Sequence, residues 1–307
     1  MLTEATENKD VQPRQVLAVD TLKTLNQRSN GKGLVQLLAH LAVMAGSGYL
    51  WASHWVEGTL ALPFLLIYGF SFAAMFAPLH ECVHRTAFAN KQLNDIVAWL
   101  AGVLSLYNST YYRPYHSWHH RYTQIPGKDP ELASAKPANW REYLFHLTGL
   151  PWWWGKIITY WQLATGRLEN YYFIKDHHRD KIIRSVRLQL LIYVSAIALT
   201  TALGSPAAIF WYWLLPLAVG QPILRFVLLA EHTGCTYDNH PFTNTRTTLT
   251  LFPLRVLMWN MPYHSEHHLY PSIPFHALPQ AHQLLHPYCQ QLDPGYIQVH
   301  RNLITHF

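Results

Sequence analysis

His116-Ser117-Trp118-His119-His120 and His264-Ser265-Glu266-His267-His268 share one spacing, with imidazoles at positions i, i+3 and i+4. On a helix those positions lie on one face, so each stretch offers three nitrogen donors in one direction. His80-Glu81-Cys82-Val83-His84 adds two more at i and i+4, and His232 stands alone in Glu231-His232-Thr233-Gly234. A structural zinc takes four protein ligands and a catalytic zinc about three. Nine imidazoles therefore suit two metals at four or five each. Imidazole serves iron, copper, zinc and nickel alike, so the ligands alone do not choose the metal.

The sequence around these clusters is that of a membrane protein. Half of its 307 residues are apolar and only 13% are charged, against about 25% in a soluble domain. The apolar residues fall in blocks, four of which approach the roughly 20 residues a membrane span needs. The spans are expected at residues 35–55, 59–79, 188–203 and 207–229, the third being short. They pair into two hairpins through tight turns at 54–58 and 204–206. All 23 Lys and Arg lie outside those turns. The positive-inside rule then puts both termini and the large central segment in the cytoplasm. The clusters sit where spans end on that side, beside an apolar phase, which favours oxidation of a hydrocarbon by a redox metal and O2. The expected fold is an all-α integral membrane protein: four transmembrane helices in two hairpins, with a cytoplasmic helical cap holding a histidine-rich di-metal site. Residues 1–33 read as a flexible cytoplasmic leader without the apolar core of a signal peptide. Residues 34–290 read as the membrane domain and 291–307 as a C-terminal cytoplasmic tail.

Two shorter apolar stretches, 93–107 and 144–163, are expected as helices lying in or re-entering the interface. The second carries Trp152-Trp153-Trp154 and a break at Pro151. Six full spans are disfavoured, because crossing at 93–107 would separate the histidine clusters. Net charge is +6 without a basic run or a nucleic-acid motif, so membrane lipids are the expected partner and nucleic acid is not. Cys82, Cys235 and Cys289 form no CxxC and suggest neither a disulfide framework nor a thiolate metal site.

The three clusters resemble the histidine boxes of the membrane fatty acid desaturase superfamily, in the pattern HX3H, HX2HH, HX2HH. The flanking phrases His80-Glu81-Cys82-Val83-His84-Arg85-Thr86-Ala87-Phe88 and Tyr263-His264-Ser265-Glu266-His267-His268-Leu269-Tyr270-Pro271 resemble it too, and the likeness runs from about residue 60 to 285. The resemblance implies two iron ions held by His80, His84, His116, His119, His120, His264, His267 and His268. His232 is added where some members use an extra ligand after the fourth span. It implies O2 as co-substrate, a lipid or acyl substrate, and two electrons from a separate ferredoxin or cytochrome-type donor. The product is a C=C bond in a desaturase, or an alcohol in hydroxylase relatives. Some members reach a metal through water from an asparagine one turn before the extra histidine. Leu228 stands there, so that contact is expected to be absent, with Asn260 as a candidate substitute.

Glu81, Asp129, Glu231 and Glu266 are candidates to orient ligand imidazoles, weighed against plain solvated or ion-paired carboxylates. The other histidines, including His177, His178, His276, His282 and His286, read as interfacial or solvated. Trp152 to Trp154 read as an interfacial anchor. Arg113 and Arg121 suit a headgroup, an acidic electron carrier or a positive-inside loop. No haem, nucleotide or iron–sulfur motif is fused to the chain, so the donor is expected to dock on the basic face. Three readings compete with acyl desaturation. They are a hydroxylase or ketolase of an acyl chain, alkane or carotenoid; a membrane zinc protease through the HExxH of His80, Glu81 and His84; and a metal transporter. The transporter is disfavoured by spans nearly free of ionisable groups apart from His40, His54 and Arg225.

Overall fold

The structure is a computed structural model that describes residues 16–307. Fourteen α-helices are present among the described residues. In chain order they are α1 (Val19–Leu25), α2 (Asn30–His54), α3 (Leu62–Ala73), α4 (Phe76–His84), α5 (Lys91–Ser105), α6 (Ser109–Tyr122) and α7 (Trp140–Leu147). They continue with α8 (Leu150–Thr165), α9 (Asp176–Ala202), α10 (Leu215–His232), α11 (Phe252–Leu257), α12 (His264–Leu269), α13 (Leu278–Leu285) and α14 (Tyr296–Thr305). A two-residue parallel ladder pairs β1 (Thr247–Thr248) with β2 (Leu292–Asp293).

Four helical segments are long and apolar enough to cross a membrane: Asn30–Ser53, Gly58–His84, Asp176–Ala202 and Phe210–His232. In the first and third, only 17% of the most apolar window is buried. Leu34, Val35, Leu38, Leu188, Leu191 and Val194 project outward. Long helices that leave such a surface uncovered need a solvent other than water. The chain is a membrane protein.

The second span bends between α3 and α4, where Ala74 ends the first piece. α2 packs beside α3, α3 lies against α10, and α9 packs on α8 and α6. The third and fourth spans are thus neighbours in sequence whose main packing partners lie elsewhere. The contact of α3 with α10 is made close by two glycines. A Cβ at Gly220 would lie 1.9 Å from the Gly69 carbonyl oxygen, and one at Gly69 would lie 2.4 Å from the Pro216 oxygen. Since α4 continues α3, this contact fixes His80 and His84 of α4 relative to the end of α10.

Local chemistry sets the helix ends. The Asn90 and Asn108 side chains accept from Leu93 N and Tyr111 N at 3.0 Å each, capping α5 and α6, which satisfies a backbone donor that a helix start leaves free. Among the expected interfacial helices, the stretch 144–163 divides at Gly149 (φ 75°) rather than at Pro151. Pro151 sits in the first turn of α8, where its missing N–H costs nothing.

The leader expectation is corrected over its described part, and the expected tail packs as a helix. Residues 1–15 of the expected leader lie outside the described residues, but 16–33 are not a loose leader. α1 forms there, and Leu17 and Leu25 pack with Phe242, Tyr263 and Ile273. The tail is likewise part of the core: Tyr296, Val299 and Leu303 of α14 join the main apolar cluster with Leu224 and Val227 of α10. His300 bonds the Tyr143 hydroxyl at 2.9 Å and the Phe226 carbonyl at 2.7 Å. Both segments carry apolar residues at helical spacing, a signal overshadowed by their polar composition.

Replacing Gly220 with Val should separate α3 from α10, because the added atoms meet backbone. A loss of about 1–3 kcal/mol or more is expected for such overpacking. Thermal unfolding in detergent checks it; an unchanged midpoint would contradict the close contact.

Candidate metal centre

Box one lies on α4, box two on α6 and box three on α12, while His232 is the last residue of α10. Each box is helical, so the i, i+3, i+4 spacing does place its imidazoles on one face. The boxes meet. The donor atoms of His80, His84, His116, His120 and His267 all lie within 4.8 Å of one another, as do those of His119, His232 and His268. His264 joins the second group, its Nε2 lying 3.1 Å from His232 Nε2. All nine candidate ligands are therefore together, in one group of five and one of four.

The contacts within the group of five are nitrogen against nitrogen. His267 Nε2 lies 2.8 Å from His80 Nε2 and 3.1 Å from His120 Nε2, which lies 3.0 Å from His116 Nε2. Burial, reinforced by neighbouring imidazoles, holds His116, His120, His264, His267 and His268 well below the ordinary histidine pKa. Neutral rings with converging lone pairs are the protonation state a metal requires. The Nε2 atoms of His84 and His268 are buried without a hydrogen-bond partner. One cation at each focus would satisfy these groups, so the donor set fits two metals.

The second group is oriented from behind. His119 Nδ1 is 2.9 Å from Asp129 Oδ1, His232 Nδ1 is 3.0 Å from the Asn244 carbonyl, and His268 Nδ1 is 3.1 Å from the Thr123 hydroxyl. Such bonds fix each ring and turn its Nε2 toward the shared focus. Asp129 is itself held, accepting from Gln124 N at 2.8 Å and Glu131 N at 2.9 Å. His119 differs from these rings: burial presses its pKa down, but Glu131 and Asp129 outweigh burial and the pKa rises.

The four carboxylate candidates have separate fates, and none is simply solvated. Asp129 orients His119. Glu231 places Oε2 3.5 Å from His264 Nε2. Glu81 is fully buried and accepts from the Thr86 hydroxyl at 2.9 Å and Phe275 N at 3.3 Å, tying box one to the chain after box three. Glu266 is fully buried between the Thr247 hydroxyl and His282 Nδ1, each at 2.5 Å. Thus His282, read from sequence as unconnected, braces box three. The sequence reading also missed Glu131, whose Oε2 is 3.7 Å from His119 Nε2. No motif marks it; the turn capped by Asp129 brings it back to α6.

Three further expectations change. Asn260 (φ 57°) donates to the Phe275 carbonyl at 3.0 Å, so it shapes the turn before box three instead of reaching the foci. Arg113 is spent on Asp95 at 2.6 Å and on the Val83 carbonyl at 3.1 Å. Trp154 is exposed, as an anchor should be, but Trp152 turns inward, donates to the Tyr107 hydroxyl at 2.9 Å and walls a cleft. That cleft, of about 370 Å³, is bounded by Phe76, Tyr107, Tyr112, Trp152 and Leu228 and opens onto His80, His116, His119, His232 and His264.

The nine histidines and the cleft before them all fall within a stretch, residues 31–300, that matches the fatty acid desaturase family. The chain belongs to that family. It is 28% identical over 234 residues to dihydrorhizobitoxine desaturase of Bradyrhizobium elkanii, covering 72% of this chain and 64% of that protein. It is 25% identical over 298 residues to sn-1 oleoyl-lipid 12-desaturase of Synechocystis sp., covering 86% and 79% respectively. A Delta(5) fatty acid desaturase of Caenorhabditis elegans is 21% identical over 251 residues, covering 72% of this chain and 56% of that protein. The chain thus spans a little under two thirds of the first of these relatives.

Asp129→Asn should weaken metal binding at the group of four by about 10- to 100-fold, the usual cost of removing a ligand's orienting partner. A chelator titration with metal analysis reads this, and unaltered affinity would show that Asp129 does not set the ring.

Proposed function

We propose that the chain is an O2-dependent di-iron membrane desaturase that introduces a C=C bond into an acyl chain. The observation that carries this reading is the convergence of nine imidazoles in two groups at the end of an aromatic cleft. His80, His84, His116, His120 and His267 would hold one iron. His119, His232, His264 and His268 would hold the other, with Glu131 and Glu231 as nearby oxygen donors. A mixed imidazole and carboxylate set is typical of non-haem iron. Held by these residues, two irons would supply the redox chemistry by which O2 is reduced to two waters as two hydrogens leave adjacent carbons, with two electrons from a carrier and two protons from solvent.

The chain's own residues supply placement and protection. Asp129, Thr123 and the Asn244 carbonyl keep three rings turned inward. Phe76, Tyr112 and Trp152 wall the reacting space and keep bulk water from it. Glu81 is engaged with Thr86 and Phe275, and box one is shared with boxes two and three, an arrangement a zinc protease does not need. Both termini and the centre are assigned to the cytoplasmic side from the Lys and Arg distribution. A second cleft, of about 630 Å³, borders α6 and is lined by Arg121, Lys175, His178 and Lys181. An acidic ferredoxin or cytochrome-type carrier would dock here, its approach steered by charge.

The test is turnover of the iron-loaded full chain with reductant and O2, followed by mass spectrometry of the acyl products. A new double bond is expected. A hydroxylated product without one would move the reading to a hydroxylase or ketolase. His267→Ala should abolish turnover and lower bound iron, because His267 bridges box one and box two; retained iron and activity would remove it from the ligand set. Lys175→Glu with Lys181→Glu should slow reduction by the carrier protein, as added salt should, while a small chemical reductant works equally well on both forms. Equal slowing with both reductants would argue against docking there.

A further inference from the structure

The cleft before the histidines is lined by cations as well as rings. Lys136 from the segment before α7, Lys156 on α8 and Arg225 on α10 all border it. Among the described residues none of the three has a carboxylate within ion-pair distance, although Arg85, Arg113 and Arg246 elsewhere all do. Lys156 Nζ sits 3.2 Å over the Tyr107 ring, and Arg225 bonds the Tyr107 hydroxyl at 3.3 Å. Arg225 Nε is buried without a partner. The two acids of the cleft, Glu131 and Glu231, approach His119 and His264. The acids approach the imidazoles, and although their charge reaches Lys136 and Arg225 through the cleft, neither forms an ion pair with the three cations.

A passage for a plain hydrocarbon has no use for this arrangement. Taking a cation from water without a partner is costly, and Tyr107 returns only a part through its ring and hydroxyl. Convergent Lys and Arg side chains are what carboxylate and phosphate groups require. The cleft's size is near the lower end for small-molecule sites, so an anion on the cations leaves its neighbouring carbons at the imidazole face. Resting on the oxidative reading above, we propose that the substrate is a compact acyl molecule with an anionic end group, held by Lys136, Lys156 and Arg225, and oxidised a few bonds from that group.

Binding to the iron-loaded full chain in detergent, without reductant, tests this by calorimetry with hexanoate, hexyl phosphate and methyl hexanoate. At least one anion should bind tenfold or more tightly than the ester, and the tighter of the two identifies the end group as carboxylate or phosphate. Arg225→Met and Lys156→Met, on different helices, should each lose about tenfold for the anion and nothing for the ester, with iron content unchanged. If either variant fails to fold, the other and Lys136→Met carry the same comparison. Equal binding of ester and anions, or variants that weaken both alike, would overturn the proposal. Iron content and reductant-driven O2 consumption with a long-chain acyl lipid are measured in parallel. Iron and O2 consumption without anion preference sinks this inference alone, whereas absence of both sinks the oxidative reading.

Discussion

Nine imidazoles packed against one another inside an apolar helix bundle are the constraint on which the rest depends. Each carries a lone pair that must find a partner away from water, and the nitrogen-to-nitrogen contacts of 2.8–3.1 Å leave no room for solvent between them. Everything around them holds the rings in that unfavourable company. α4, α6, α10 and α12 each deliver their share, and Asp129, Thr123, Asn244 and Glu266 fix ring or helix positions through buried bonds.

The two groups are not equivalent. In the group of five, the Nδ1 atoms of His80, His120 and His267 have no partner, whereas in the group of four three rings are tethered through Nδ1. The tethered group also has carboxylate oxygens beside it. One half of the centre is therefore fixed by packing of helices and the other by specific bonds, which predicts different sensitivity to loss of single neighbours.

Much of this was legible in the sequence because the period of a helix converts spacing into direction. HX2HH can only mean three rings on one face if the segment is helical, and the apolar blocks told where the bilayer would be. His232 was found by its place at the end of a span. What escaped was whatever depends on contacts between distant segments. Glu131 and His282 have no local pattern, and their partners lie across a turn or on another helix. α1 and α14 looked polar on average while each buries a narrow apolar stripe. Trp152 and Trp154 are two residues apart, and only the orientation of α8 decides which one faces the cleft.

The order of the donors along the chain has a consequence for biogenesis. Box one is synthesised long before its companions His264, His267 and His268. The bilayer-embedded pieces must accordingly be threaded into place with their imidazoles unmatched. Closure of the cluster then waits for α12: a protein truncated before that helix could insert but never assemble its centre.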